Sequence, residues 1–275
     1  MVQIKKKMIS IALVVMLISI GLFAVVVGAS ASPEDWPMFR HDLQHTGYSS
    51  SKAPDTDNVL WTFQTGGWVE SSPAVLNDVL YVGSNDGNLY ALDATTGNLK
   101  WNFTIGGKIS SSPAICDGTV YLQSNFQDKN IYAIDSDTGT LKWKFKTEMA
   151  IDDVASSPVV VDGTVYVGSS DHSDSLWGSV YALDAYTGDL KWKFTKKFDT
   201  FVSSPAVSDE TVYVGSTGGT LYALDKDTGT IIWEFNAGGG NIRSSPAVSN
   251  GVVYTSCQYF PGINKNWDAP LLVYN

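Results

Sequence analysis

The sequence predicts an all-β fold of repeated four-stranded antiparallel blades. Three observations carry this: a repeat with a period in the low forties, four short β-type runs inside each repeat, and turn signals between the runs. The repeat emerges on marking the proline of each Ser-Ser-Pro: Pro73, Pro113, Pro158, Pro205 and Pro246 follow one another at 40, 45, 47 and 41 residues. Trp61, Trp101, Trp143, Trp192 and Trp233 do the same at 40, 42, 49 and 41. A period of this size marks an array of one supersecondary unit.

One unit reads SSPAVLNDVLYVGSNDGNLYALDATTGNLKWNF, from Ser71. Its β-type runs are Ser72–Leu76, Val79–Gly83, Asn88–Leu92 and Leu99–Phe103, dominated by Val, Leu, Tyr and Trp, and nothing in it reads as helix. The first proline opens a strand, where a missing N–H matters little. Asn-Asp, Asp-Gly, Asp-Gly, Asp-Glu and Asn-Gly join the first run to the second in the five units. Such dipeptides tolerate the positive φ of a two-residue hairpin. Asp-x-x-Thr-Gly joins the third run to the fourth, with Asp bonding its own backbone and Gly supplying a left-handed residue. Four antiparallel strands per forty-odd residues make one propeller blade. In the fourth runs, KWKFK from Lys142 and KWKF from Lys191, the aromatics face a neighbouring blade. The lysines face water on an outer edge, guarding it against aggregation.

Three regions flank or close this array. Residues 1–31 combine Lys5, Lys6 and Lys7, an apolar run from Met8 to Gly28 and an Ala-Ser-Ala end, the pattern of a signal peptide, with an uncleaved N-terminal membrane anchor as the alternative. Residues 32–57 form a lead-in, and residues 58–275 the propeller. Asn58–Gln64 matches a fourth strand with no blade of its own, whereas the last unit ends at LLVYN with no fourth strand. The two remainders predict five blades with the N-terminal strand closing the last one. The alternative is an open arc of a larger propeller.

The phrase A-x-D-x-x-T-G-x-x-x-W occurs in four full copies, and it resembles the pyrroloquinoline-quinone-like propeller repeat. The matching positions are Ala91, Asp93, Thr96, Gly97 and Trp101; Ala133, Asp135, Thr138, Gly139 and Trp143; Ala182, Asp184, Thr187, Gly188 and Trp192; and Ala223, Asp225, Thr228, Gly229 and Trp233. DWPMFRHDLQHTGYS, from Asp35, is similar to the lead-in of secreted members. The resemblance implies that the phrase docks blades, each Trp packing on its neighbour's backbone near the Ala and Gly. It implies no cofactor for this chain. The quinoprotein dehydrogenases of the superfamily have eight blades, and many carry a vicinal Cys pair; their calcium ligands map onto no position here. The non-catalytic branch also has eight blades, and a lipid anchor.

Composition narrows the function. Without residues 1–31 the chain keeps 15 Lys+Arg against 28 Asp+Glu, a net charge of −13 that argues against a nucleic-acid partner. Cys116 and Cys257 sit at non-equivalent places and read as two buried thiols, with an inter-repeat disulfide as the alternative. His41 and His45 have metal-ligand spacing but no third ligand, and packing or exposure in the lead-in is preferred; His172 stands alone in a polar loop. The acid pairs of Asp-Ser-Asp-Thr-Gly and Asp-Lys-Asp-Thr-Gly read as turn caps. Ser169–Ser175 is richer in oxygen ligands and stays open as a calcium loop. The Asn102 sequon reads as a chance match on a strand. No phosphate loop, zinc cluster or Ser-His-Asp set appears.

Loop lengths divide the blades into two faces. First-to-second and third-to-fourth turns keep one length. The Tyr-to-Tyr step from second to third strand runs 9, 11, 15, 9 and 20 residues, and the Trp-to-Pro step between blades runs 12, 12, 15, 13 and 13. The variable loops carry Trp68, Phe126, Trp177, Tyr259, Phe260 and Trp267, a candidate binding face, with ring capping as the alternative reading. The expectation is therefore an exported, non-catalytic binding or scaffold module of the cell envelope, secreted or at the cell surface, whose partner is a protein or an envelope polymer. The alternative is a quinoprotein oxidoreductase or a fragment of one.

Overall fold

The computed structural model describes residues 35–125, 127–147, 156–170, 177–238, 240–259 and 271–274. Contacts divide the chain into residues 1–30 and 31–275, and every described residue lies in the second unit. The predicted signal or anchor lies outside the described residues.

Blade one is β1 (Ala74–Leu76), β2 (Val79–Gly83), β3 (Asn88–Asp93) and β4 (Leu99–Thr104). Blade two is β5 (Ala114–Cys116), β6 (Thr119–Gln123), β7 (Asn130–Asp135) and β8 (Leu141–Lys146). Blade three is β9 (Val159–Val161), β10 (Thr164–Ser170), β11 (Trp177–Asp184) and β12 (Leu190–Lys197). Blade four is β13 (Ala206–Ser208), β14 (Thr211–Gly215), β15 (Thr220–Asp225) and β16 (Ile231–Asn236). Each is a four-stranded antiparallel sheet in sequence order. In blade five, β18 (Ala247–Ser249), β19 (Val252–Ser256) and β21 (Leu271–Tyr274) make three strands, and β17 (Gly240–Asn241) pairs separately with β20 (Gln258–Tyr259).

Registers follow the turn chemistry. Leu76 faces Val79 across a two-residue loop in which Asn77 and Asp78 have φ of 50° and 59°. This is the mirror-image turn whose twist suits a hairpin. A bulge interrupts the third-to-fourth ladder at Ala91/Leu92, Ala133/Ile134, Ala182/Leu183 and Ala223/Leu224, so each repeat bends at one place.

The expected closing strand does not form. Residues 58–64 adopt no strand, β21 pairs only with β19 among the described residues, and Val59 and Leu60 are 76% and 87% exposed. Among the described residues blade five has no fourth strand and its sheet is not closed, which is consistent with the open-arc alternative. Trp61 accounts for where the segment lies. Its Nε1 donates to the Ala94 carbonyl of blade one at 3.0 Å, and its ring covers Gly97, which holds the segment on that blade's flank.

The ends are tied from inside instead. Trp36 exchanges two backbone hydrogen bonds with Val75 of β1, the Pro37 carbonyl accepts from Ile115 of β5, and Leu43 and Gln44 carbonyls accept from Val207 of β13 and Val248 of β18. Residues 36–44 thus form a strap along the innermost strands of blades one, two, four and five. Met38 of the strap is buried in the largest core cluster, with Tyr121, Tyr166, Tyr181 and Phe201.

Candidate functional site: a repeated turn face and a variable loop face

The turn face is built from the repeated phrase. Trp101, Trp143 and Trp192 donate Nε1–H to the carbonyls of Ser136, Ala185 and Lys226 at 2.9, 2.9 and 2.8 Å. In each case the acceptor is the residue after the phrase Asp of the next blade. The second-strand tyrosines Tyr81, Tyr121 and Tyr166 donate to the same three carbonyls. The indoles lie against Gly139, Gly188 and Gly229, where an added Cβ would stand 2.5–2.8 Å from ring carbons. These glycines also have φ near +70°, so both space and conformation require them. Trp233, half-buried, packs with Tyr213 at the blade four to five junction.

The phrase aspartates shape the turns beneath. Asp93 Oδ1 accepts from Thr96 N and Thr96 Oγ1 at 2.8 Å, and Asp135, Asp184 and Asp225 repeat the arrangement. The Thr96 hydroxyl and amide hold the Asp93 carboxyl below its ordinary range, and the other three are lowered by their own threonines.

Both serines of each Ser-Ser-Pro are committed, a role the sequence pattern displays without explaining. The first closes its blade: Ser111, Ser203 and Ser244 bond both the N–H and the C=O at the end of the second strand. The second links blades. The amides of Ser72, Ser112, Ser157 and Ser204 donate to the hydroxyls of Ser112, Ser157, Ser204 and Ser245 at 2.9–3.0 Å. A line of serines therefore runs along the inner strands beside the strap.

On the loop face, each described linker is clasped to the loop of the blade it enters. Asn85, Asn125 and Thr217 donate backbone N–H to the carbonyls of Trp68, Lys108 and Thr200. A carboxylate stands at each of these three clasps. Asp86 accepts from Tyr90 Oη and Gly66 N, both at 2.7 Å, and Asp128 accepts from Tyr132 Oη at 2.7 Å. Burial raises these carboxyls, but the hydrogen bonds outweigh it and hold both below the ordinary value. Blade four uses Asp199 from the linker, which accepts from Gly218 N at 2.7 Å and Tyr222 Oη at 3.1 Å; burial keeps this carboxyl raised.

Of the candidate binding aromatics, Trp68 is 80% exposed, so an indole projects from a pinned backbone. Trp177 is half-buried at the start of β11, with Lys197 Nζ 5.7 Å from its ring centre. Tyr259 lies in β20, paired with Gly240. Phe126, Phe260 and Trp267 lie outside the described residues, as do His172 and most of the Ser169–Ser175 loop.

The lead-in histidines have separate roles. His45 is buried and its Nδ1–H donates to the Pro246 carbonyl at 3.1 Å, edge-on to Phe39. Burial pushes its pKa down to about 4. His41 packs edge-on against Trp36. Cys116 and Cys257 are free thiols.

Against this geometry stand the comparisons. The family model described as outer membrane protein assembly factor BamB matches residues 50–192 and 176–258. No curated protein matches the chain. Among solved structures, the quinohemoprotein alcohol dehydrogenase ADHIIG of Pseudomonas putida HK5 superposes with a TM-score of 0.71 at 20% identity, covering 82% of this chain and 45% of its own. The quinohemoprotein alcohol dehydrogenase of Comamonas testosteroni gives 0.70 at 19%, covering 84% and 47%. BamB from Moraxella catarrhalis gives 0.58 at 20%, covering 72% and 64%. The chain spans less than half the length of these dehydrogenases, and the likeness is one of fold: a β-propeller of quinoprotein-type repeats.

Proposed function

We propose, from the premise that the chain belongs to the family of the outer membrane protein assembly factor BamB, that it is an exported, non-catalytic scaffold that binds a protein or polymer of the cell envelope through its loop face. The observation that carries this reading is the strap. Residues 36–44 lie along the innermost strands of four blades through five backbone hydrogen bonds, with Met38 buried, which supports a centre filled by the chain itself rather than by a quinone. What remains for recognition is the loop face, where clasps fix the backbone and side chains such as Trp68 project. Rigid scaffolds display binding residues on loops in this way. The predicted leader of residues 1–31 supports export, by cleavage or by anchoring.

The second reading, a quinoprotein oxidoreductase, rests on the higher TM-scores to the dehydrogenases. Titration with the quinone and Ca²⁺, followed by dye-coupled oxidation of alcohols and sugars, separates the two. The scaffold reading expects neither saturable binding nor turnover, together with capture of a partner from an envelope extract; reproducible turnover would overturn it.

A further inference from the structure

Blade three differs from its neighbours by a raised edge. Its third and fourth strands are 8 residues each, against 6 each in blades one, two and four. The added rungs pair Gly178 with Lys196 and Trp177 with Lys197. Gly178 lets the edge lean on the linker, since an added Cβ would stand 2.5 Å from the Asp199 carbonyl oxygen. At the tip, Lys197 Nζ lies 5.7 Å from the Trp177 ring centre and 5.0 Å from that of Phe198. Phe198 is 66% exposed and has φ of +61°, a left-handed conformation that bulky residues seldom adopt and that collects at functional places.

Charge sets the edge apart from a chain with a formal net charge of −10. Lys193, Lys196 and Lys197 fall within five positions of one strand. Lys196 pairs with Glu234 at 3.5 Å, whereas Lys197 forms no salt bridge among the described residues. β12 is the outermost strand of its sheet, with no partner strand on its far side among the described residues. Along it Lys193, Thr195 and Lys197 share one side, by the two-residue period of a strand.

We propose that this edge docks an extended acidic polypeptide segment, which adds to β12 as a further strand with its carboxylates opposite Lys193 and Lys197, on the side of the sheet that Trp177 shares, and its alternate apolar side chains on the other side. The proposal rests on the binding-scaffold reading and names the partner chemistry of the blade-three edge where β11 and β12 reach that loop face. An exposed strand edge recruits extended chains through backbone hydrogen bonds, and alternate side chains supply selectivity. Lysines repel the identical edge of a second copy and attract an acidic strand, so charge complementarity selects the occupant.

The test titrates the full chain with a twelve-residue peptide alternating Glu and Val, and with its Lys-Val counterpart. The acidic peptide is expected to bind saturably, at least tenfold more tightly, and to weaken steeply with salt. Lys193→Glu with Lys197→Glu is expected to weaken it at least tenfold, Lys197→Gln less, and Asp209→Asn, in the β13–β14 hairpin of the turn face, not at all. Amide exchange is expected to slow along β12 on binding. Equal affinity for the two peptides, indifference to the lysine reversals, or binding without protection of β12 would overturn the proposal. So would equal or tighter binding of a sulfated polysaccharide that competes with the peptide. Envelope capture that survives the lysine reversals, with no peptide binding by the parent, would reject this edge and leave the scaffold reading standing; loss of both would reject the two together.

Discussion

The turn face and the loop face solve the same joining problem in opposite ways. On the turn face, blades one to three offer the same atoms at nearly the same distances, Trp Nε1 to carbonyl oxygen at 2.9, 2.9 and 2.8 Å. On the loop face, one clasp is reached by two routes. In blade one the carboxylate is Asp86 of the loop and the linker supplies Gly66; in blade four the linker supplies Asp199 and the loop has Gly218. A Cβ on Gly66 would meet Asp86 Oδ2 at 3.0 Å, and one on Gly218 would meet Asp199 Oδ1 at 2.8 Å. The fold therefore requires a carboxylate at a point in space, and either strand of the clasp can deliver it. A face that repeats atom for atom is scaffold; a face that keeps only the bond leaves its sequence free to vary.

The largest effect that would break this contrast lies on the turn face. Trp143→Ala removes a buried indole and should cost about 3–5 kcal/mol by chemical denaturation; a parent-like midpoint would refute its docking role. Next comes the strap. The folded pKa of His45, about 4, lies below its ordinary 6.5, so its contribution is complete above pH 6.5 and is lost as pH falls toward 4. Together these bound the loss at about 3 kcal/mol. Arg40 reinforces the shift and Asp42 opposes it. The parent's melting temperature should fall between pH 6.5 and 4 relative to His45→Gln, and parallel curves would reject the assignment.

The two routes of the clasp can be exchanged. Asp199→Gly strands the Tyr222 hydroxyl and the Gly218 amide, at about 1–3 kcal/mol. Adding Gly218→Asp should recover most of it, because the blade-one arrangement is rebuilt; a double variant no better than the single would refute equivalence. Asp135→Ala, half-buried on the turn face, should cost about 1 kcal/mol, the scale of a net hydrogen bond. Smallest is Trp68→Ala, expected within about 0.5 kcal/mol of the parent by melting, as for most exposed positions. Its effect should instead be weaker capture of the envelope partner.

The blades were legible because their determinants are local. Asn-Asp and Asp-Gly set hairpins, Asp-x-x-Thr-Gly caps the next turn, and period-two apolar runs set the faces. The strap was not legible. It is fastened mainly through backbone groups of Trp36, Pro37, Leu43 and Gln44, which leave no side-chain pattern, and its partners lie in distant repeats. The outer closure expected of residues 58–64 does not form: their strand-like sequence adopts no strand, because Trp61 fixes that segment to blade one without a ladder. The serine line was in plain view as Ser-Ser-Pro, yet only neighbouring blades reveal that one hydroxyl accepts from the next blade's amide. The Asp86–Tyr90 and Asp128–Tyr132 spacings of four hinted at the clasp, and Asp199 hid it by arriving from another segment.

The strap also sets a clock. Blade docking joins residues close along the chain, as Trp101 and Ser136 are, 35 positions apart, so blades can assemble as they emerge. His45 and Pro246 are 201 positions apart. Closing the longer loop costs about 1.5 kcal/mol more by chain entropy alone, and it waits for the far end of the chain. Trp36 and Pro37 can pair with blades one and two early, but Leu43, Gln44 and His45 stay unsatisfied until blades four and five have formed. During that interval this end of the strap is uncovered, and a holding chaperone would find it there.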